Sequence, residues 1–286
     1  MRIGRIPYIN CYPVYGAVDR GIVSLDGEIV DGVPSALNRQ MADGSLDVSV
    51  ISAVEYARDA KRYLLLPDLA ITSDGPVRSV VLFSKRPASE LQGRRVLVSK
   101  SSMTSVELLE LLFAHVWDAK PAFVPADAEL SDIERFGDTD HDARLVIGDA
   151  ALHLWSRLRH PGEYEPHPGL SAYRYAYDLG AEWKNWTGLP FVFAVWVAQR
   201  TTPVQDSLAV HANLIQSRDW GIRHLDTLAA QAAVATGVNK QECLEYLSGL
   251  DYGLSYEHLA GLTEFFRRLV AAGRVPNGSL AFLPAA

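Results

Sequence analysis

Apolar residues recur along this chain in two rhythms, and the switches between them mark its elements. Residues 2–6, with Ile3 and Ile6 set among polar positions, are read as a first strand stopped by Pro7, and Pro13 suits the opening turn of a first helix. Residues 28–33 alternate as a strand and end at Pro34, where a helix through Ala36, Leu37, Gln40 and Met41 runs to Gly44. Residues 46–51 read as a buried strand, and Ser52-Ala53-Val54-Glu55 opens the next helix with a capping-box spacing. Further strands are expected over 63–66 and 69–72, then a long one over 77–85 with Ser79 near its start.

After Pro87 the pattern restarts. Strands are expected at 95–98, 121–124 and 144–147, with a helix over 104–117 and another from Gly148 to about Leu158. Between them, residues 126–142 carry seven acidic side chains and little apolar character, the pattern of a solvated loop or short helix. Residues 160–170 read as a surface loop, and Trp186, in the aromatic run before the next strand, as a buried side chain. A second long strand spans 191–198, after which four helices are expected over 204–223, 224–235, 239–249 and 256–272. Two long strands flanking a middle α/β segment suggest a chain that crosses to a second lobe and returns. The expected division is lobe 1 from 1–84 plus 196–286 and lobe 2 from 85–195, with a cleft between them: an α/β, bilobal arrangement like that of type 2 periplasmic binding proteins, with a two-strand hinge and a helical C-terminal segment.

Charge and cysteine usage narrow the partners. Thirty-four acidic residues against 27 basic ones give a net charge of −7 with no long basic run, which disfavours nucleic acid and anionic membranes. Cys11 and Cys243 stand far apart with no metal-ligand spacing, so free thiols in a reducing compartment are expected. Residues 1–30 lack the basic start and apolar core of a signal peptide, and no apolar run reaches the roughly 20 residues that cross a bilayer. A cytoplasmic protein is expected; a homodimer is left open.

Candidate chemistry sits at the strand-to-helix junctions, the edge where open α/β sheets bind ligands. Asn10, bracketed by Pro7 and Pro13, offers an acceptor and two donors in a constrained turn, and it could equally cap the helix that follows. Ser101, Ser102, Thr104 and Ser105 crowd a helix start, with Thr104 and Glu107 spaced as a capping box; hydroxyls and free N–H groups there suit a carboxylate or phosphate. Ser79, a hydroxyl in a long apolar strand, either bonds a neighbouring backbone group or, at a lobe crossing, lies on the floor of the cleft where it could meet substrate. Gly148 permits close backbone approach, and Asp149 is either a helix cap or a ligand contact. The eight histidines fall into no metal-binding spacing and read as surface residues; no nucleophile elbow or dinucleotide fingerprint is present, and no metal or cofactor is expected.

Taken in order, Tyr8-Ile9-Asn10-Cys11-Tyr12-Pro13, Val77-Arg78-Ser79-Val80, Ser101-Ser102-Met103-Thr104-Ser105, Leu145-Val146-Ile147-Gly148-Asp149-Ala150, Asp178-Leu179-Gly180 and Trp186-Thr187-Gly188-Leu189-Pro190 resemble the chorismate dehydratases of the futalosine route to menaquinone. The resemblance runs from residue 2 into the C-terminal helices. It implies the bilobal fold and a cytoplasmic lyase that converts chorismate, a dicarboxylate, to 3-[(1-carboxyvinyl)oxy]benzoate. It also implies Asn10 and Ser79 as the catalytic pair, with substrate held by Tyr8, Ser101, Ser102, Thr104, Ser105, Gly148, Asp149 and Ala150. None of these motifs sets a His or Glu at the reacting ring, so a substrate carboxylate is expected to take the proton. Two alternatives stand beside this one: a non-catalytic binder of a small carboxylate, and the sister 1,4-dihydroxy-6-naphthoate synthase activity. That sister family usually carries a Cys-Pro-Asn-Asp-type motif where this chain has Ile9-Asn10-Cys11-Tyr12-Pro13.

Overall fold

A computed structural model describes residues 1–127, 140–167 and 169–284. Its framework is two five-stranded mixed sheets. The first takes β1 (Arg2–Arg5), β2 (Glu28–Asp31), β3 (Val48–Ser52), β4 (Tyr63–Ser73) and β10 (Phe191–Gln199) in the order β2-β1-β3-β10-β4. The second takes β5 (Val80–Ser84), β6 (Arg95–Ser99), β7 (Ala122–Ala126), β8 (Ala143–Ile147) and β9 (Tyr175–Asp178) in the order β7-β6-β8-β5-β9.

The sheets share one plan. In each, three parallel strands make one side, and a strand arriving from the other lobe inserts antiparallel. In the first sheet that strand is β10, with Val195 opposite Ile51 of β3 and Ala70 of β4. In the second it is β5, with Val81 opposite Val146 of β8 and Asp178 of β9. Both inserted strands are almost wholly buried, as central strands must be, and this explains their unbroken apolar runs.

Pairing in the sheets differs from the expected lobe boundaries. Residues 80–84 were expected on the first-lobe side, yet they pair in the second sheet, and residues 191–195 pair in the first. The chain therefore passes between sheets at 74–79 and at 188–190. The single strand expected over 77–85 begins only at Val80: Arg78 takes a left-handed φ of 61°, and the amides of Val77 and Arg78 are bonded to the Asp178 carboxylate instead of a neighbouring strand. Conversely, the two strands expected at 63–66 and 69–72 are one eleven-residue strand, β4, which carries Asp68 at φ 52° without breaking.

Helices α2 (Pro34–Ala42), α3 (Ala53–Arg58), α4 (Met103–His115) and α5 (Gly148–Arg159) each follow a strand. The aromatic run before β10 contains a helix not expected from the sequence, α6 (Leu179–Thr187), which buries Trp183 completely and leaves Trp186 half-buried, less deep than anticipated. The C-terminal helices α7 (Val204–Arg223), α8 (Leu225–Thr236), α9 (Lys240–Ser248) and α10 (Tyr256–Ala271) return to the first sheet. There α7 packs on α1 (Tyr12–Asp19), and α10 covers β10 and α3. One apolar core runs from Ile3 through Val98, Leu108 and Trp196 to Val275, so it spans both sheets. A smaller one, built on Val81, Phe83, Val146 and Leu154, backs the second sheet. The acidic stretch expected as a loop or short helix lies mostly at 128–139, outside the described residues.

Candidate active site

Where the two sheets face each other, a narrow cleft of about 70 Å³, partly open to solvent, is lined by Tyr8, Asn10, Ser79, Ser102, Ser105 and Gly148, with Phe193 and Ile71 among its apolar walls.

Asn10 reaches it by a short chain of local causes. Pro7 ends β1, the Tyr8 carbonyl accepts from Cys11 N at 3.0 Å, and the chain closes a tight turn over Ile9–Cys11. Ile9 and Cys11 are buried on either side and anchor it. Asn10 caps nothing: α1 begins after Cys11 with no side-chain cap. Its Oδ1 is buried and bonded to no described residue. A buried acceptor without a donor costs on the order of 1–3 kcal/mol, which a ligand donor can relieve.

Ser79 is held more rigidly. The Asp178 carboxylate accepts from Val77 N at 3.0 Å and Arg78 N at 2.6 Å, and also from Ala181 N at 3.1 Å as the cap of α6. One side chain thus fixes the crossing and starts the helix beside it. Burial raises the Asp178 pKa, and the backbone N–H bonds oppose that shift. The left-handed Arg78 costs roughly 1–2 kcal/mol, which those bonds offset. Ser79 follows at once, its carbonyl accepting from Gly148 N at 2.8 Å and its Oγ bonded to the Tyr246 phenol at 2.9 Å. Asp178→Asn replaces one acceptor oxygen with an NH₂ that faces backbone donors. A loss of about 1–3 kcal/mol in folding stability is expected by urea denaturation, and unchanged stability would show that the clamp is dispensable.

The third wall is the start of α4. Ser102, not Thr104, is its N-cap, accepting from Ser105 N at 3.2 Å, and the two serine hydroxyls bond each other at 2.9 Å. The remaining free N–H groups and the positive end of a thirteen-residue helix lie beside them. No Lys, Arg, His, Asp or Glu lines the cleft among the described residues. Cys11 does, and burial raises its thiol pKa far above the ordinary value, so it stays protonated.

Comparison with known proteins decides the family. The sequence profile of a family described as menaquinone biosynthesis matches residues 1–271. The chain belongs to this menaquinone-biosynthesis family. It is 31% identical over 268 residues to a chorismate dehydratase of Thermus thermophilus, covering 92% of this chain and 95% of that one. It is 29% identical over 198 residues to the Campylobacter jejuni chorismate dehydratase, covering 68% and 66%. Among solved structures, protein AF1704 from Archaeoglobus fulgidus superposes with a TM-score of 0.75 at 20% identity, covering 96% of this chain and 98% of that one. The periplasmic aliphatic sulphonate binding protein SsuA of Escherichia coli superposes at 0.60 and 13% identity, covering 97% and 94%, and shows the periplasmic-binding-protein-like fold.

In this menaquinone-biosynthesis protein, six of the ten expected site residues line the cleft: Tyr8, Asn10, Ser79, Ser102, Ser105 and Gly148. The other four stand behind it. Thr104 Oγ1 accepts from Val54 N at 3.2 Å and ties α4 to the first lobe. Ser101 is buried, with its carbonyl accepting from Ser35 N at 3.1 Å. Asp149 accepts from Ile9 N at 3.1 Å, so it secures the Asn10 turn from the second lobe. Ala150 packs in the smaller core. Gly148 has φ 62°, and a Cβ there would sit 2.9 Å from the Tyr8 ring, which lies flat against it.

Sequence reasoning missed two polar residues of the cleft region. Ser52 lines the cleft, caps α3 and accepts from Asn38 Nδ2 at 2.9 Å; Tyr246 stands behind Ser79. The histidines also depart from expectation. His141 and His258 are buried, and His160 lies with Glu163 and Glu242 so that their ligand-type atoms fall within 4.8 Å of one another. His160 Nε2 is 3.0 Å from Glu242 Oε1, and Asn239 Nδ2 donates to Glu163 at 3.2 Å, so this group ties the loop after α5 to α9. No helix among the described residues is long and apolar enough to cross a membrane.

Proposed function

We infer that this protein is a hydro-lyase that removes water from chorismate to give 3-[(1-carboxyvinyl)oxy]benzoate, a step of menaquinone biosynthesis. The observation that carries this is the 31% identity to a chorismate dehydratase across 92% of the chain. The cleft suits the chemistry. The ring C3–H bond breaks, its electron pair forms the C3–C4 double bond, and the C4 hydroxyl leaves; the C3 proton and the hydroxide together make the water. The ring becomes aromatic and no electron acceptor is consumed. Positioning and one proton transfer are then what remains for the protein to supply.

Asn10 is assigned to substrate oxygen atoms, where its amide stabilises charge developing in the transition state. Ser79 donates to the departing hydroxyl. A substrate carboxylate is received by Ser102, Ser105 and the α4 N-terminus. With no acid or imidazole among the described lining residues, the base is the substrate's own enolpyruvyl carboxylate, which reaches the C3 proton through a short ring. A cytoplasmic location goes with this reading, since Cys11 and Cys243 are both free and buried.

Incubating the purified protein with chorismate tests the activity. An aromatic product lighter by one water, followed by absorbance and mass, is expected; chorismate returned unchanged, apart from its slow spontaneous decay, would instead leave a carboxylate binder. Ser79→Ala is expected to lower kcat by about 10²-fold, in the range typical of a lost proton-transfer partner, and full turnover by a folded variant would remove Ser79 from the reaction.

A further inference from the structure

We propose that Tyr246 is a positioning residue whose phenol, by donating to Ser79 Oγ, turns the Ser79 proton toward the substrate. The proposal rests on the reaction assigned to the cleft. It concerns a side chain that does not line it.

Tyr246 projects from α9, 167 residues further along the chain than Ser79, and is 2% exposed. Its oxygen lies 2.9 Å from Ser79 Oγ and bonds no other described residue. The neighbouring groups are otherwise engaged: the Tyr252 phenol donates to the Leu247 carbonyl at 3.4 Å, and the Cys243 thiol to the Val238 carbonyl at 3.7 Å. Two hydroxyls in contact share one hydrogen between their oxygens. The phenol is the stronger acid and has no other acceptor among the described residues, so it is the donor. Ser79 Oγ therefore accepts, and its own hydrogen is left to point elsewhere.

Ser79 lines the cleft, so that hydrogen is available to a ligand there. The backbone that carries it is fixed, with the Ser79 carbonyl accepting from Gly148 N and the amides of Val77 and Arg78 donating to the Asp178 carboxylate. α9 is also tied to the crossing itself, with Arg78 Nη1 3.6 Å from Glu245 Oε2.

The arrangement is a donor chain, Tyr246 to Ser79 to the leaving oxygen. As Ser79 gives its hydrogen bond, its oxygen becomes richer in electrons and the bond from Tyr246 strengthens. The gain appears in the transition state more than in the bound ground state, so it belongs to kcat and not to KM. Burial raises the phenol pKa far above its ordinary value, so the donor stays protonated throughout the neutral range.

Tyr246→Phe keeps the ring in the core and deletes the oxygen. A fall in kcat of about 10-fold is expected, with KM within about twofold and Tm retained. In the Ser79→Ala background the same change should have no further effect, because the group it orients is gone. A merely structural role would lower Tm, or lower activity equally in both backgrounds, and either result overturns the proposal. So does wild-type kcat in the Phe variant. Should that variant fail to fold, 3-fluorotyrosine at 246, a stronger donor of nearly the same shape, is expected at least to double kcat, and an unchanged kcat refutes the chain. Failure of the chorismate reading looks different: wild-type protein would then produce no aromatic product at all.

Discussion

Replacing Asn10 with alanine should reduce chorismate turnover by about 10²–10³-fold, the usual loss when one preorganised polar contact is removed from a developing charge. The free protein should become no less stable. Asn10 Oδ1 is buried without a partner among the described residues, so its removal deletes a cost of roughly 1–3 kcal/mol where most truncations lose an interaction. Anchorage of the turn rests on Ile9, Cys11 and the Asp149 bond, none of which the change touches. The distinguishing result is a Tm that holds or rises while kcat/KM collapses. Asn10→Asp, nearly isosteric, should be as harmful, because it sets a carboxylate against a dicarboxylate in a cleft lined by no cation among the described residues. Wild-type turnover by either variant would remove Asn10 from the reaction.

Gly221→Ala is expected to be the most destabilising single methyl considered. A Cβ at 221 would stand 2.1 Å from the Pro13 carbonyl oxygen and 2.6 Å from its Cα, and these are backbone atoms of α1 that no rotamer can move aside. Alanine is favoured over glycine inside a helix by about 1 kcal/mol. Overpacking a tight contact costs about 1–3 kcal/mol and more when backbone must shift, so strain wins. Net destabilisation of about 2 kcal/mol should appear as a lower urea midpoint with an unchanged slope. Because α1 starts two residues beyond Asn10, the displaced helix should carry the turn with it, and kcat should fall in the folded fraction too. An unaltered midpoint would mean that α7 and α1 are free to slide.

Much of this architecture was legible because the chain obeys its local rules. The first two strands ended shortly before Pro7 and Pro34, with Pro34 opening α2, Ser52 capped where its spacing with Glu55 said it would, and the motif segments around Asn10, Ser79 and Gly148 do converge on one cleft. What escaped notice escaped for physical reasons. Residues 80–84 are apolar on both faces, and a run of that kind carries no mark of which sheet it joins. The cap of α4 was misplaced because Thr104 and Glu107 have the right spacing, whereas Glu107 bonds Arg274 at 2.8 Å and Arg58 at 3.5 Å instead. Tyr246 sits with Cys243 and Leu247 on the buried stripe of α9, where a phenol reads as one more core side chain. Arg78 carries no sign of its left-handed backbone, which is imposed from Asp178 a hundred residues away.

The placement of β10 between β3 and β4 also sets an order of events during synthesis. About 120 residues separate the end of β4 from the start of β10, so at ribosomal speeds the nascent first sheet waits roughly 6–24 s for its central strand. Every strand of the second sheet lies between residues 80 and 178 and can pair meanwhile. Until β10 emerges, β3 and β4 each present an open edge with nothing to join. The middle of the chain should therefore fold first, and a ribosome stalled before residue 191 should display a protease-resistant second lobe attached to a first lobe that is still cut.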